Sequence, residues 1–380
     1  SVDSMSVHSE EPNMSLAQHQ SSISGPTRSI TAAADDEPLC QRADIPVLIR
    51  PCHGTKPVRV RLHYLWFGCR IGPTVIVQGG ISAGRDACSS PALGADGWWQ
   101  SLVGPGKAID TRRCRVLAID WLDAEALQAD TVTSLDQAEA LAALLDGLHI
   151  GQAAAFVGAS YGAMVGLAFA ARHGERIGHL IAIAGAHRPH PLASAQRAVQ
   201  RGILRLGMET GRELEAVSLA RQLALTTYRG HSELGERFTG VARPVADGWQ
   251  LPVETWLQHG GRKFARGFSA RRYLSLSQSI DLHAVDPAAI TVPVNLIGIA
   301  SDRLVPLTDL CVLQSELGGR ASLEVIDSPC GHDAFLVEHA RLTPLLGDAL
   351  GGCLLAPGAP ARLDLPAPSE PIRAELARGA

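Results

Sequence analysis

The sequence predicts an α/β fold, a mostly parallel sheet with helices on both faces, and two observations carry that prediction. Short, compact, mainly apolar runs recur along the chain: TVIVQ (74–78), CRVLAID (114–120), AAAFVG (153–158), HLIAIAG (179–185), VNLIGIA (294–300) and SLEVID (322–327). Runs of that length suit strands covered on both faces. Helical patterns separate them, and an alternating β-α order builds a parallel sheet sandwiched by helices.

Residues 1–43 are rich in Ser, Ala and acidic residues without an apolar period, and read as a flexible tail. VRVRLHYLWF (58–67) alternates with period two, as a half-buried antiparallel strand does. SLDQAEALAALLDGL (134–148) opens on a Ser134-x-x-Gln137 capping box and repeats apolar residues at helical spacing. YGAMVGLAFAARHG (161–174) is a second helix, placed directly after a strand. From 187 to 286 no strand pattern appears, only helical ones such as ELEAVSLARQLALTTY (213–228), so this interval reads as a helical lid. The core is then 44–186 plus 287–356, and the Pro- and Ala-rich 357–380 reads as a C-terminal tail.

Composition narrows the class. The 380 residues carry 34 Lys+Arg against 38 Asp+Glu, a net charge of −4, with 46 % hydrophobic residues. That balance is globular and gives no footprint for nucleic acid or an anionic membrane. No run approaches the ~20 apolar residues of a membrane helix. Eight cysteines lack CxxC or zinc-like spacing, which predicts reduced thiols in a cytoplasmic enzyme. His187 and His190 form a close pair without acidic or thiol partners, so they read as loop residues and no metal site is expected. Neither a Walker sequence nor a G-x-G-x-x-G after a strand is present, which argues against a nucleotide cofactor.

Gly158-Ala159-Ser160-Tyr161-Gly162 fits the G-x-S-x-G nucleophile elbow, a sharp strand-to-helix turn that small flanking residues permit. Gly80-Ile81-Ser82-Ala83-Gly84 fits the same pattern, but the residues after it are loop-like, whereas Ser160 stands between a buried strand and a helix. Ser160 is therefore the candidate nucleophile. In such a site the oxyanion hole combines the N–H after the nucleophile with one from an earlier strand's loop. That assigns Tyr161 and Ile81. A Ser nucleophile needs a base, and the base a carboxylate. Asp302 and His332 each come just after a predicted strand, at the strand ends where open α/β sheets gather their ligands. The order Ser160, Asp302, His332 is that of an α/β-hydrolase.

From about Gly97 to Glu338 the chain resembles the homoserine O-acyltransferases of the α/β-hydrolase superfamily. The resemblance rests on GWWQSLVGPGKAIDTRRCRVLAID (97–120), the elbow GASYGAM, SLARQLALTTYRG (218–230), VETWLQHGGRKFARGFSARRYLSLSQSIDLH (253–283), SDRLVP (301–306) and GHDAFL (331–336). Ala163 departs from it, standing where a second glycine is usual. The resemblance implies acyl transfer from acyl-CoA, as co-substrate and without a bound cofactor, to the hydroxyl of L-homoserine in methionine biosynthesis. It further implies that Arg221 and Tyr228 meet the homoserine carboxylate, that Asp333 meets its ammonium, and that two copies pair as a homodimer. Arg85 and Arg303, close in sequence to the reacting centre, lean the acyl group toward succinyl over acetyl, as an acyl-carboxylate or CoA contact. An L-serine O-acyltransferase, a serine esterase and a binding protein on an inactive hydrolase scaffold remain as alternatives.

Overall fold

The computed structural model describes residues 39–354 apart from 91, 92, 95 and 247. The predicted tails lie outside the described residues, except for 39–43. In chain order the strands are β1 (Leu39–Ile49), β2 (Val58–Gly68), β3 (Thr74–Gln78), the two-residue β4 (Val103–Gly104) and β5 (Ile109–Asp110), and β6 (Arg115–Ile119). Then come β7 (Ala155–Ala159), β8 (Leu180–Ile183), β9 (Arg243–Val245), β10 (Gly248–Gln250), β11 (Val294–Ile299) and β12 (Ala321–Ile326). The α-helices are α1 (Ser134–Gly147), α2 (Tyr161–His173), α3 (Pro191–Glu209), α4 (Glu213–Tyr228) and α5 (His231–Arg237). They continue with α6 (Pro252–Ala265), α7 (Ala270–Asp281), α8 (Leu307–Glu316), α9 (Ala334–Val337) and α10 (His339–Leu354).

Eight strands form one sheet in the order β1-β2-β6-β3-β7-β8-β11-β12. The first two run antiparallel to their neighbours, and from β6 to β12 every pairing is parallel. The apolar runs in the middle of the sheet work as two-faced strands, whereas SLEVID forms the part-exposed edge strand β12. In β3, Ile76 joins the core on the face of α1 and α2, while Val75 and Val77 join the opposite core beneath α10. Phe156 against Ala155 and Val157 repeats that division in β7. This is the period-two geometry of a strand, with both faces apolar.

Three expectations need correction. The chain enters the sheet at Leu39, not at 44, because β1 pairs with β2 along its whole length, from Leu39 opposite Gly68 to Ile49 opposite Val58. As an edge strand it carries Gln41, Arg42 and Asp44, so it has the polar look of a tail. The cap of α1 is Thr133, whose side chain accepts from Asp136 N while Asp136 accepts from Thr133 N. Ser134 and Gln137 are engaged elsewhere: Ser134 Oγ meets His283 Nδ1 at 2.7 Å, and Gln137 bonds the backbone of Leu122. The interval 187–286 holds α3 to α7 as expected but also the β9–β10 hairpin, whose three-residue strands are too short and exposed to show a period. The eight cysteines are unpaired. Among the described residues no helix is long and apolar enough to cross a membrane.

Candidate active site

Ser160 sits between β7 and α2 with φ 56° and ψ −118°, a left-handed conformation that costs a non-glycine residue about 1–3 kcal/mol. Its neighbours hold it there. A Cβ on Gly162 would run into the Gln78 carbonyl, and one on Gly158 would run into the Gly162 carbonyl. The Ser160 and Gly162 N–H groups donate to Ile183 and Gly79 carbonyls at 2.8 Å each. The turn can close only because both glycines lack a side chain.

The three strand-end residues converge. Ser160 Oγ lies 2.8 Å from His332 Nε2, and His332 Nδ1 lies 2.7 Å from Asp302 Oδ2. Asp302 Oδ1 accepts the N–H groups of Leu304 and Val305, at 2.8 and 3.1 Å, which fixes the carboxylate plane. Asp302 and His332 are both buried. Burial alone disfavours a charged imidazole, but the Asp302 carboxylate and its hydrogen bond, with help from Asp333, outweigh it and raise the His332 pKa. The base is thus oriented, and its protonated form is stabilised when it takes a proton.

The loop carrying His332 is tightly built. Gly331 has φ 60°, and a Cβ there would stand 2.6 Å from Tyr228 O. Ser301 Oγ accepts from Gly331 N at 3.0 Å, and Ser328 Oγ accepts from Cys330 N at 3.1 Å. Trp99 Nε1 donates to Phe335 O, and Trp98 Nε1 to Gly84 O, both at 2.9 Å. The two tryptophans therefore bracket the His332 loop on one side and the Gly79–Gly84 turn on the other.

That turn passes directly over the nucleophile, since a Cβ on Gly80 would stand 3.9 Å from Ser160 Oγ. Trp121 Nε1 donates to Gly80 O at 2.9 Å, and Ala83 N donates to the same oxygen at 2.9 Å. In a trans peptide the N–H points opposite to the carbonyl. Pinning Gly80 O therefore pins the direction of the Ile81 N–H. Tyr161 N–H belongs to the first turn of α2, where N–H groups lack an intrahelical acceptor. Ile81 and Tyr161 both line the cavity at Ser160, as the sequence expected. Ser82 lines it too, on a turn with no helix behind it.

The cavity measures about 100 Å³ and is walled by the elbow, the His332 loop and helices α3, α4 and α7. Arg221, Tyr228 and Asp333 all reach it. The Arg221 guanidinium lies over the rings of Phe264 and Tyr228, with centroids 4.6 and 5.1 Å away, and makes no ion pair among the described residues. Stacking of that kind orients a cation and leaves its in-plane donors for a ligand. Asp333 sits beside His332, with Arg229 Nε 3.0 Å from its Oδ2. Burial raises its pKa, against the opposing pull of Arg229, His332 and Arg221.

Arg85 and Arg303 do not line this cavity. Arg85 turns away from the cavity, with Nε 3.6 Å from Asp120 Oδ2 and Nη1 3.5 Å from Ala43 O. Arg303 is not in the wall either, because the turn that aims Leu304 and Val305 N–H at Asp302 puts those two side chains there instead. The basic residues that do line the cavity with Arg221 are Arg188 and Arg197. Sequence reasoning missed both, since in an Arg-rich chain neither a loop arginine nor a helical one carries a distinguishing signal, and it missed Trp121 as well. His190 caps α3, its Nδ1 accepting from Leu192 N at 3.3 Å, and among the described residues no cluster of metal-ligating side chains occurs. A larger groove of about 1050 Å³ lies at the opposite ends of the strands, around Thr74, Arg115 and His179, and contains no member of the triad.

Comparison with known proteins places the chain among proteins of the same fold. The α/β-hydrolase fold family model matches residues 73–339. The chain is 41 % identical over 337 residues to a homoserine O-succinyltransferase of Xanthomonas campestris pv. campestris, covering 89 % of this chain and 91 % of that one. It is 34 % identical over 299 residues to a homoserine O-acetyltransferase of Leifsonia xyli subsp. xyli, covering 66 % and 73 %. The crystal structure of a homoserine O-acetyltransferase from Bacillus anthracis superposes with a TM-score of 0.74 at 16 % identity, over 82 % of this chain and 98 % of that one, a likeness of fold.

Proposed function

The chain belongs to the homoserine O-acyltransferase family of the α/β-hydrolase fold, and from that premise we propose that it moves an acyl group from acyl-CoA to the hydroxyl of L-homoserine through a Ser160 acyl-enzyme. One observation carries the reading: the Ser160–His332–Asp302 chain opens into a small cavity with a stacked arginine, without an ion pair among the described residues, and a buried carboxylate in its wall. A zwitterionic acceptor needs one fixed cation and one fixed anion, and charge-assisted bonds are the strong ones. Arg221 and Asp333 answer to those two roles, with Tyr228 packed between Arg221 and the His332 ring.

The contacts support the following steps. His332 Nε2 takes the Ser160 proton as Oγ attacks the thioester carbonyl, and the resulting oxyanion faces the Ile81 and Tyr161 N–H groups. Collapse expels the CoA thiolate, which leaves with the proton from His332. The homoserine hydroxyl then gives its proton to His332 and attacks the acyl carbonyl. Collapse of that second intermediate returns the proton to Ser160 and releases the ester. At about 100 Å³ the cavity is too small for the body of CoA, which stays outside. The helices of 187–286 act as the lid that keeps water from the acyl-enzyme.

We read the acyl group as succinyl, with Arg197 taking the place first assigned to Arg85 and Arg303. Arg197 Nε and Nη2 turn to Asp281 Oδ1, which leaves Nη1 for a ligand carboxylate, and exposed Arg188 adds a second cation. The succinyl-transferring Xanthomonas relative supports the same choice. Pairing of two copies is supported by Leu192, Val199 and Leu206, exposed apolar residues spaced by seven on α3. Eight unpaired thiols support a reducing, cytoplasmic setting.

The test is intact-protein mass after mixing with succinyl-CoA in the absence of acceptor. The native enzyme gains one succinyl group and loses it when homoserine is added. Ser160→Ala gains none; an adduct that persists in that variant refutes the assignment.

A further inference from the structure

Behind Asp333 the structure lays out a line of alternating charges that the acyl-transfer steps do not use. Arg229 Nε lies 3.0 Å from Asp333 Oδ2, and Arg229 Nη1 lies 3.6 Å from Glu233 Oε1. Glu233 Oε1 in turn meets Arg237 Nη1 at 3.2 Å. Asp333 is in the cavity wall and Arg229 is not. The line thus runs from the cavity, through the α4–α5 corner, to the half-exposed side chain of Arg237. Two of its inner atoms, Arg229 Nε and Glu233 Oε2, are buried without a hydrogen bond. The close Arg229–Asp333 approach is therefore an ion pair, too bent for the N–H to point at the carboxylate.

The corner that carries Arg229 cannot drift. Gly331, with φ 60°, would place a Cβ 2.8 Å from Gly230 N and 2.9 Å from Arg229 C. Gly230 itself lies against the Pro329 carbonyl, with no room for a side chain. Backbone contact from both sides locks the end of α4 onto the loop that bears His332 and Asp333.

We propose that Arg229 is a positioning residue for acceptor recognition, holding Asp333 ionised and oriented toward the cavity, with Glu233 setting how strongly it does so. This rests on the reading of Asp333 as the partner of the acceptor's ammonium. The charged groups facing Asp333 are Arg229 and Glu233 from the α4–α5 region, Arg221 from α4, and His332 beside it. Burial favours the neutral acid; Arg229, His332 and Arg221 oppose that, and Glu233 reinforces it. The two substitutions therefore have opposite signs. Without Arg229 the carboxyl holds its proton to higher pH, so ammonium binding fails earlier as pH falls. Without the Glu233 charge the carboxyl ionises more readily, and binding persists to lower pH.

The experiment is the pH dependence of kcat/KM for homoserine in Arg229→Gln and Glu233→Gln, read against CoA release in the first half-reaction, which has no acceptor. Arg229→Gln is expected to raise the homoserine KM by about tenfold, the size of one pK unit, and by more at pH 6 than at pH 8. CoA release should stay within about twofold of the native rate, as fits a residue outside the reacting shell. Glu233→Gln should shift the acid limb the other way. In an Asp333→Asn background neither change should alter the homoserine KM further, because residues acting through one partner do not add. If Asp333→Asn raises the homoserine KM while Arg229→Gln leaves it unchanged, this proposal falls and the reading of Asp333 stands. If Asp333→Asn leaves that KM unchanged, both fall. Equal losses in both half-reactions for Arg229→Gln, or matching shifts of the two pH limbs, also overturn it by showing a merely structural role. Should Arg229→Gln fold poorly, Glu233→Gln alone decides by the sign of its shift.

Discussion

Replacing Asp302 with Asn changes one atom and should nearly stop the chemistry. Asp302 Oδ1 is claimed by two backbone donors, Leu304 N at 2.8 Å and Val305 N at 3.1 Å. In Asp302→Asn the amide oxygen keeps that place, because turning it out would set the NH2 group against two N–H donors. The NH2 group then stands where Oδ2 was, 2.7 Å from His332 Nδ1. His332 must present Nδ1 as an acceptor and carry its proton on Nε2, which faces Ser160 Oγ at 2.8 Å. An Nε2–H cannot take the serine proton. The carboxylate that outweighs burial in raising the His332 pKa is lost as well. Wrong-tautomer variants of such triads lose about 10⁴ in rate, or about 5 kcal/mol of transition-state stabilisation. Single-turnover CoA release from saturating thioester reads this step directly, with circular dichroism as the control for folding. A rate within tenfold of native, from folded Asp302→Asn, refutes the claim that Asp302 sets the tautomer.

The same contacts predict other outcomes. Gly162→Ala must displace the start of α2 from the Gln78 and Gly79 carbonyls, the latter 2.9 Å from the new Cβ. A cost of about 3 kcal/mol in urea unfolding is expected, and about a hundredfold loss of CoA release through the shifted nucleophile; native values for both would show that the elbow tolerates a Cβ. Arg197→Gln should lower kcat/KM for succinyl-CoA by about 10- to 100-fold, the worth of one charged hydrogen bond, and affect acetyl-CoA far less. Equal losses for both thioesters would mean that Arg197 serves only its partner Asp281. Because His332 must be neutral to accept the serine proton and its pKa is raised, kcat/KM for the thioester should decline as pH falls through a value above the ordinary imidazole pKa of about 6.5. A limb below that value contradicts the Asp302 effect.

Much of the fold was legible because buried parallel strands announce themselves. TVIVQ and AAAFVG have no polar residue to suggest a solvent face until the strand end, and each proved to be covered on both sides. The triad was legible for a related reason, since all three members follow the carboxyl ends of parallel strands, the buried β7 and β11 and the edge strand β12, where the chain order alone limits the choice. β1 was not, because an edge strand alternates weakly and its Arg42 pairs with distant Asp86. The cap of α1 was misplaced by one residue because Ser134 had a partner 149 positions away, His283, that local spacing cannot reveal. Trp121, Arg197 and Arg229 escaped for the same cause. Each acts through a contact made only in three dimensions: Trp121 on the Gly80 carbonyl, Arg197 on Asp281, Arg229 on Asp333. Arg85 and Arg303 show the converse, that nearness in sequence to a reacting centre does not aim a side chain at it.

The central claim is acyl transfer to homoserine, and one measurement bears on it most directly: CoA release from succinyl-CoA and acetyl-CoA with homoserine, serine or water as acceptor, the products identified by mass spectrometry. Turnover should depend on homoserine, yield O-succinylhomoserine and run faster with succinyl-CoA. Release at the same rate with water alone would contradict the claim and make the protein a thioesterase, and preference for serine would move Arg221 and Asp333 to a different acceptor.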